Sequence, residues 1–237
     1  LNLHRAVYCA RNFEYYSEDS MLTNILGKAV CQGAQSKGLM AAVKHFAYNH
    51  QETNRSGMSV FFTEQAAREN ELRGFQGAMA ENIAGGAMTA FNRVGVDYSG
   101  ASKNLLEQIT RNEWGYTGAY VTDMINGADY MNWRDIVFNG GGIALTSAAY
   151  ADSEIGLMED VKTDISKDTA FQEAMKQNIK YWLYNLVKTN AMNGITNTSV
   201  MESVTPWWQM AFYGVDVFLA LLTLLFVVLY AKKIKKA

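Results

Sequence analysis

Residues 41–55 read AAVKHFAYNHQETNR, a short apolar run that reaches Lys44 and His45 and continues into Gln51, Glu52 and Arg55. A change from apolar to titratable residues over so few positions marks a strand end and the start of a binding loop. A second run, GAYVT at 118–122, ends in Asp123, and a polar, aromatic stretch at 11–19 opens on Arg11. Asp123 with Lys44, His45, Arg11 and Arg55 makes one potential nucleophile or base among cations. That setting favours the ionised carboxylate, which suits a nucleophile and not a general acid. A lone strand-end Asp is more often a cap or turn residue, so the elements around it decide its meaning.

Those elements alternate. Residues 3–8 read as a short strand emptying into the 11–19 loop. Residues 21–37 read as a helix with Leu22, Ile25, Leu26, Ala29 and Val30 at helical spacing, stopped by Gly38. Strands are expected at 39–46, 85–91, 118–122 and 142–145. Helices are expected from an N-cap at Thr63 to about Glu81, and from Ser102 to Arg111. This rhythm is that of parallel βα units, an α/β class in which strand C-termini converge on one site. Lys44, His45, Phe91 and Asp123 all fall at such ends.

Over 169–190 a helix is expected with a capping box of Thr169 and Gln172 and a core-facing stripe of Phe171, Met175, Ile179, Trp182, Leu186 and Val187. Residues 191–206 read as a polar linker holding the only proline, Pro206. From 207 to 231 the chain is apolar apart from Gln209 and Asp216, is flanked by Trp207, Trp208, Tyr213 and Tyr230, and precedes the basic tail 232–237. That is the pattern of a single transmembrane helix with a cytoplasmic tail, so the rest of the chain is expected outside the cell membrane.

The 237 residues suffice for one large domain, and a net charge of −2 gives no reason to expect a nucleic-acid partner. Cys9 and Cys31 have neither zinc-site nor disulfide-framework spacing and read as buried thiols. His4 and His50 read as ordinary loop histidines, and Glu52 and Glu113 as residues that hold loops through backbone or arginine contacts. Neither a metal nor a cofactor is expected. The chain starts at Leu1 rather than Met, and its N-terminus is expected further upstream.

Four runs in order, RNFEYYSED from Arg11, KHFAYNHQETNR from Lys44, AMTAFNRV from Ala87 and LLEQITRNEWGYTGAYVTD up to Asp123, together resemble glycoside hydrolase family 3 in its β-glucosidase-like branch. The resemblance covers roughly residues 1–150. It implies an incomplete (β/α)8, TIM-like barrel over 1–190 that lacks its N-terminal strands, and a retaining β-glycosidase acting on oligosaccharides or glycosides. It makes Asp123 the nucleophile and Arg11, Lys44, His45 and Arg55 sugar-binding residues, with Phe91 and Met124 at the same subsite. Phe91 stands where a Tyr is common and Met124 where a Trp is frequent, which removes a hydroxyl near the nucleophile and an aromatic face for the sugar. The acid/base is implied to come from a sandwich domain upstream on the same chain, so the fragment alone is expected to be inactive and unstable. A catalytically silent sugar-binding homologue and β-xylosidase or arabinosidase specificity are the alternatives.

Overall fold

In the computed structural model, which describes residues 1–125, 130–145, 166–200 and 202–234, the apolar run leading to Lys44 and His45 is strand β1 (Ala42–Phe46). It pairs in parallel with β3 (Gly86–Thr89), and β3 pairs in parallel with β6 (Ala119–Val121), in the order β1-β3-β6. A parallel bridge from Val121 to Ile143 extends the sheet where a strand at 142–145 is expected. Parallel neighbours need crossovers, and here the crossovers are helical. Between β1 and β3 run α2 (Glu64–Ala66), a wide π turn over Ala67–Glu71, and α3 (Arg73–Ala80). Between β3 and β6 runs a π-helical segment, Asn104–Glu113. Val43, Phe46, Leu72, Phe75, Met79, Ala87, Leu106 and Tyr120 fill the space between sheet and helices. These are consecutive parallel βα units, the arrangement that the family resemblance implies for part of a (β/α)8 barrel.

Several expectations need correction. Residues 3–8 form no strand: single 3₁₀ turns lie at Val7–Cys9 and Asn12–Glu14, and the Asn2 side chain takes the edge of β1 instead, donating to the His45 carbonyl (3.0 Å) and accepting from its N–H (3.0 Å). The helix expected over 63–81 begins on its Thr63 cap but is broken by the π turn, which turns Glu71 inward onto the Arg5 guanidinium.

Helix α1 (Ser20–Gln35), capped by Asp19, buries Thr23, Gly27 and Cys31, while Leu22, Ile25, Leu26 and Val30 remain exposed. Its seam with the Leu1 segment and α3 is too close for large residues. A Cβ on Gly27 would stand 2.5 Å from Leu1 Cδ2, and one on Gly74 of α3 would stand 3.1 Å from Thr23 Cγ2. Small residues therefore define the packed face, against the expected stripe.

A small sheet outside the periodic pattern, β2 (Ser59–Val60), β4 (Arg93–Val94) and β5 (Asp97–Tyr98), is built from the loops that follow β1 and β3. Next come α4 (Trp133–Phe138), capped by Asn132, and α5 (Thr169–Leu186). The cap of α5 is Asp168, one residue before the expected box, and its buried residues are Phe171, a member of the expected stripe, with Asn178 and Asn185, which are not. The asparagines satisfy carbonyls of neighbouring elements, Val137 (3.0 Å) and Thr117 (2.8 Å), and Trp182 Nε1 donates to Tyr120 of β6 (3.0 Å). Ile179, Leu186 and Val187 are exposed. The stretch 146–165 of the expected barrel lies outside the described residues.

These elements belong to a compact unit, Leu1–Asn193; a second unit, Gly194–Ala237, holds α6 (Trp207–Ile234). At 28 residues α6 is about 42 Å long, more than the roughly 30 Å of a bilayer core, and none of its residues is buried. Among the described residues it is the one helix long and apolar enough to cross a membrane. Lys235 and Lys236 of the basic tail lie outside the described residues.

Candidate active site

Three strand ends and two loops meet at the C-terminal edge of the parallel sheet. Strand β1 delivers Lys44 and His45, β3 delivers Phe91 two residues beyond Thr89, and β6 delivers Asp123 two residues beyond Val121. The turn at Asn12–Glu14 brings Arg11, and the loop after β1 brings Arg55. The peptide bonds Lys44–His45 and Phe46–Ala47 are cis.

The backbone here is pinned by buried polar side chains. Ser99 Oγ donates to the Phe46 carbonyl (2.7 Å) and accepts from Ala47 N–H (3.1 Å), Asn92 donates to the Ala47 carbonyl (3.1 Å), and Tyr15 donates to that of Asn49 (2.6 Å). Asp123 N–H donates to the Thr89 carbonyl (3.2 Å), and Thr122 N–H to that of Ile143 (2.9 Å). Each bond satisfies a main-chain group that burial would otherwise leave costly.

Asp123 Oδ2 lies 3.4 Å from His45 Nε2, and its Oδ1 accepts from Met124 N–H at 2.9 Å. Burial, reinforced by Arg11 and Lys44, pushes the His45 imidazole down to about 3, so it is neutral at physiological pH. Burial also holds the Asp123 carboxyl above its ordinary value, outweighing Met124 N–H, Arg55, Arg11 and Lys44. The cations favour the ionised form, as expected of them, but burial outweighs them.

Each of the three cations also faces a carboxylate of its own. Lys44 Nζ is 3.0 Å from Glu14 Oε2, Glu14 also accepts from Arg11 Nε, Arg11 Nη1 is 3.7 Å from Glu52 Oε1, and Glu52 Oε2 is 3.0 Å from Arg55 Nη1. Asn49 Nδ2 donates to Glu52 Oε1 at 3.0 Å. The result is an alternating row, Lys44–Glu14–Arg11–Glu52–Arg55. Burial alone would raise the Glu14 carboxyl, but Arg11 and Lys44 hold it below the usual range.

The structure therefore gathers Arg11, Lys44, His45, Arg55 and Asp123. Phe91 is nearby but faces inward: it is 4% exposed, and the Arg55 guanidinium lies 4.1 Å above its ring centroid. Met124 supplies its N–H to Asp123, and its side chain is 36% exposed. Glu52 holds the loop, as expected of it, and Glu113 pairs with Arg68 on the helical side. Cys9 and Cys31 are buried free thiols. His50 is more than an ordinary loop residue, since its Nε2 sits 2.5 Å from the buried Glu71. The role of Glu14 escaped sequence reasoning; its signal was the i, i+3 spacing to Arg11, the spacing that also pairs Glu52 with Arg55.

This strand-end arrangement has relatives. Residues 1–140 match the family model of the glycosyl hydrolase family 3 N-terminal domain. Beta-glucosidase A of Butyrivibrio fibrisolvens is 41% identical over 123 residues, 52% of this chain and 15% of that protein. The beta-glucosidase of Kluyveromyces marxianus is 33% identical over 203 residues, 84% of this chain and 24% of that one. The solved structure of beta-glucosidase 3B from Thermotoga neapolitana with α-D-glucose superposes with a TM-score of 0.74 at 30% identity, covering 81% of this chain and 27% of the other. The chain spans roughly a seventh to a quarter of these proteins' lengths. With more than half of its residues inside the matched domain and its strand ends arranged as described, the chain belongs to glycosyl hydrolase family 3.

Proposed function

We propose that this chain carries the nucleophile half of a retaining, exo-acting β-glycosidase site, with a β-glucoside as its substrate. Asp123 attacks the anomeric carbon, a glycosyl-enzyme ester forms, and water releases the sugar with net retention. Arg11, Lys44, His45 and Arg55 grip adjacent hydroxyls of the terminal sugar, to which their N–H groups are matched donors. The observation that carries this reading is the placement of Asp123 against the buried, neutral His45, with the alternating charge row alongside. The leaving oxygen must also be protonated by a second carboxyl group, which we assign to no described residue; an upstream sandwich domain of the same chain is our candidate source.

Release of a chromophore from an aryl β-glucoside by the protein together with its upstream domain, and its loss in Asp123→Asn, tests the assignment. Undiminished turnover in that variant would sink it. Aryl β-xylosides and arabinosides belong in the same assay, since the gripping residues read hydroxyl pairs that pentoses also offer. A second reading, sugar binding without turnover, draws support from Phe91, which has no hydroxyl to orient the nucleophile. Calorimetric binding of glucose and cellobiose with no hydrolysis would favour it.

We place the site outside the cell membrane, with 191–206 as a linker and α6 as a single-pass anchor whose lysines, Lys232, Lys233, Lys235 and Lys236, face the cytoplasm. The support is the length and apolarity of α6 together with the one-sided lysines. Extraction of the full chain from membranes by alkaline carbonate would count against the anchor.

A further inference from the structure

The site presents Arg55 in an unusual setting. A guanidinium on a solvent-facing loop is normally free to rotate about several bonds, and that freedom is lost when it grips a ligand. Here two contacts remove it beforehand. The guanidinium carbon of Arg55 lies over the Phe91 ring, 4.1 Å from its centroid, and Nη1 stands 3.0 Å from Glu52 Oε2. One contact holds the guanidinium over the ring and the other ties it to a carboxylate.

The ring beneath is itself immobilised. Phe91 packs with Tyr98, Ile125, Met131 and Ile136, and its carbonyl accepts from the Tyr130 hydroxyl at 3.0 Å. With 4% of its surface exposed and Arg55 lying on its face, Phe91 offers a sugar nothing to stack on.

We propose that Phe91 is a positioning residue that pre-orients Arg55 for the sugar, and that its ring never touches substrate. This rests on the sugar-site reading above and deepens it. Cation–π attraction of a planar cation to a desolvated ring is the physical basis, and Phe serves as well as Tyr for that purpose. A hydroxyl at this position is therefore dispensable for holding Arg55, whatever it does for Asp123.

The test uses the full chain in detergent with two readouts. The first is the NMR signal of the Arg55 Hε proton, assigned by its disappearance in Arg55→Lys; a ring directly beneath shifts it upfield. The second is glucose affinity by calorimetry. In Phe91→Leu the upfield shift should vanish and affinity should fall roughly 5- to 20-fold, while Phe91→Tyr keeps both near wild type. Arg55→Lys, which retains the charge, leaves the buried ring untouched and lacks a planar face, should lose affinity to a similar degree, so the proposal stays testable if Phe91→Leu does not fold. Unchanged affinity in Phe91→Leu or in Arg55→Lys would overturn the proposal, as would an unshifted wild-type signal. A shifted wild-type signal with no response to glucose would overturn the sugar-site reading and the role of Arg55 in it, leaving only the stacking.

Discussion

Arg55 and Arg111 both lie on aromatic rings, yet their surroundings set them to different tasks. Arg111 sits 3.7 Å from the Tyr181 centroid, 4.7 Å from Tyr120 and 5.2 Å from Tyr116, and its Nη1 donates to the carbonyls of Tyr116 and Gly118, each at 2.7 Å. Neutral acceptors and three rings join the π-helical segment, the approach to β6 and α5. Arg55 has one ring, one carboxylate, and a place at the strand ends beside Asp123. The comparison teaches that a stacked arginine is read by its partners: main-chain carbonyls mark a structural joint, and a carboxylate row at a strand end fits the binding site proposed above.

Five experiments sharpen or break this contrast. The largest effect is expected at the group that the row surrounds: Asp123→Asn should lower kcat on the order of 10³-fold or more with the fold intact, read from aryl glycoside turnover alongside a melting curve. Next, Arg111→Ala should destabilise the chain by about 2–4 kcal/mol, because two buried carbonyls lose their donor and three rings lose their cation. Denaturant unfolding would show it, and unchanged stability would erase the structural half of the comparison. Arg55→Ala should do the reverse, with KM rising roughly tenfold and stability changing by less than about 1 kcal/mol.

The smallest effects are in pH. As the proposed nucleophile Asp123 acts ionised, and burial raises its carboxyl above the ordinary value of 3.8, so the acid limb of kcat/KM should lie above that value. For His45 the folded state resists protonation down to about 3, whereas the unfolded chain takes the proton near 6.5. Stability should therefore fall as pH drops from about 6.5 towards 3, and His45→Gln should flatten that slope in acid titrations followed by circular dichroism.

What could be read in the sequence was whatever local pattern alone determines. Short apolar runs ending in charge gave away β1 and β6, and with them Lys44, His45 and Asp123. The orientation of α1 was hidden because close helix packing selects small residues, and Gly27 and Thr23 carry no apolar signal. The break in the 63–81 helix and the two-residue strands of the small sheet were hidden because neither has enough residues to show a period. Spacing put Phe91 at a strand end but could not show that its ring is buried beneath Arg55. The row joining Glu14 to Lys44 depends on two loops meeting in space, which only the tertiary structure reveals.

The alternation of that row has a kinetic consequence. Lys44, Arg11 and Arg55 are matched in number by Glu14, Glu52 and Asp123, so their fields largely cancel a Debye length away, about 10 Å at 0.1 M salt. An approaching glycoside, itself uncharged, meets no long-range pull and no repulsion. Its rate of arrival should be nearly the same in dilute buffer and in concentrated brine, and a substrate bearing a phosphate or a carboxylate should gain no advantage in speed.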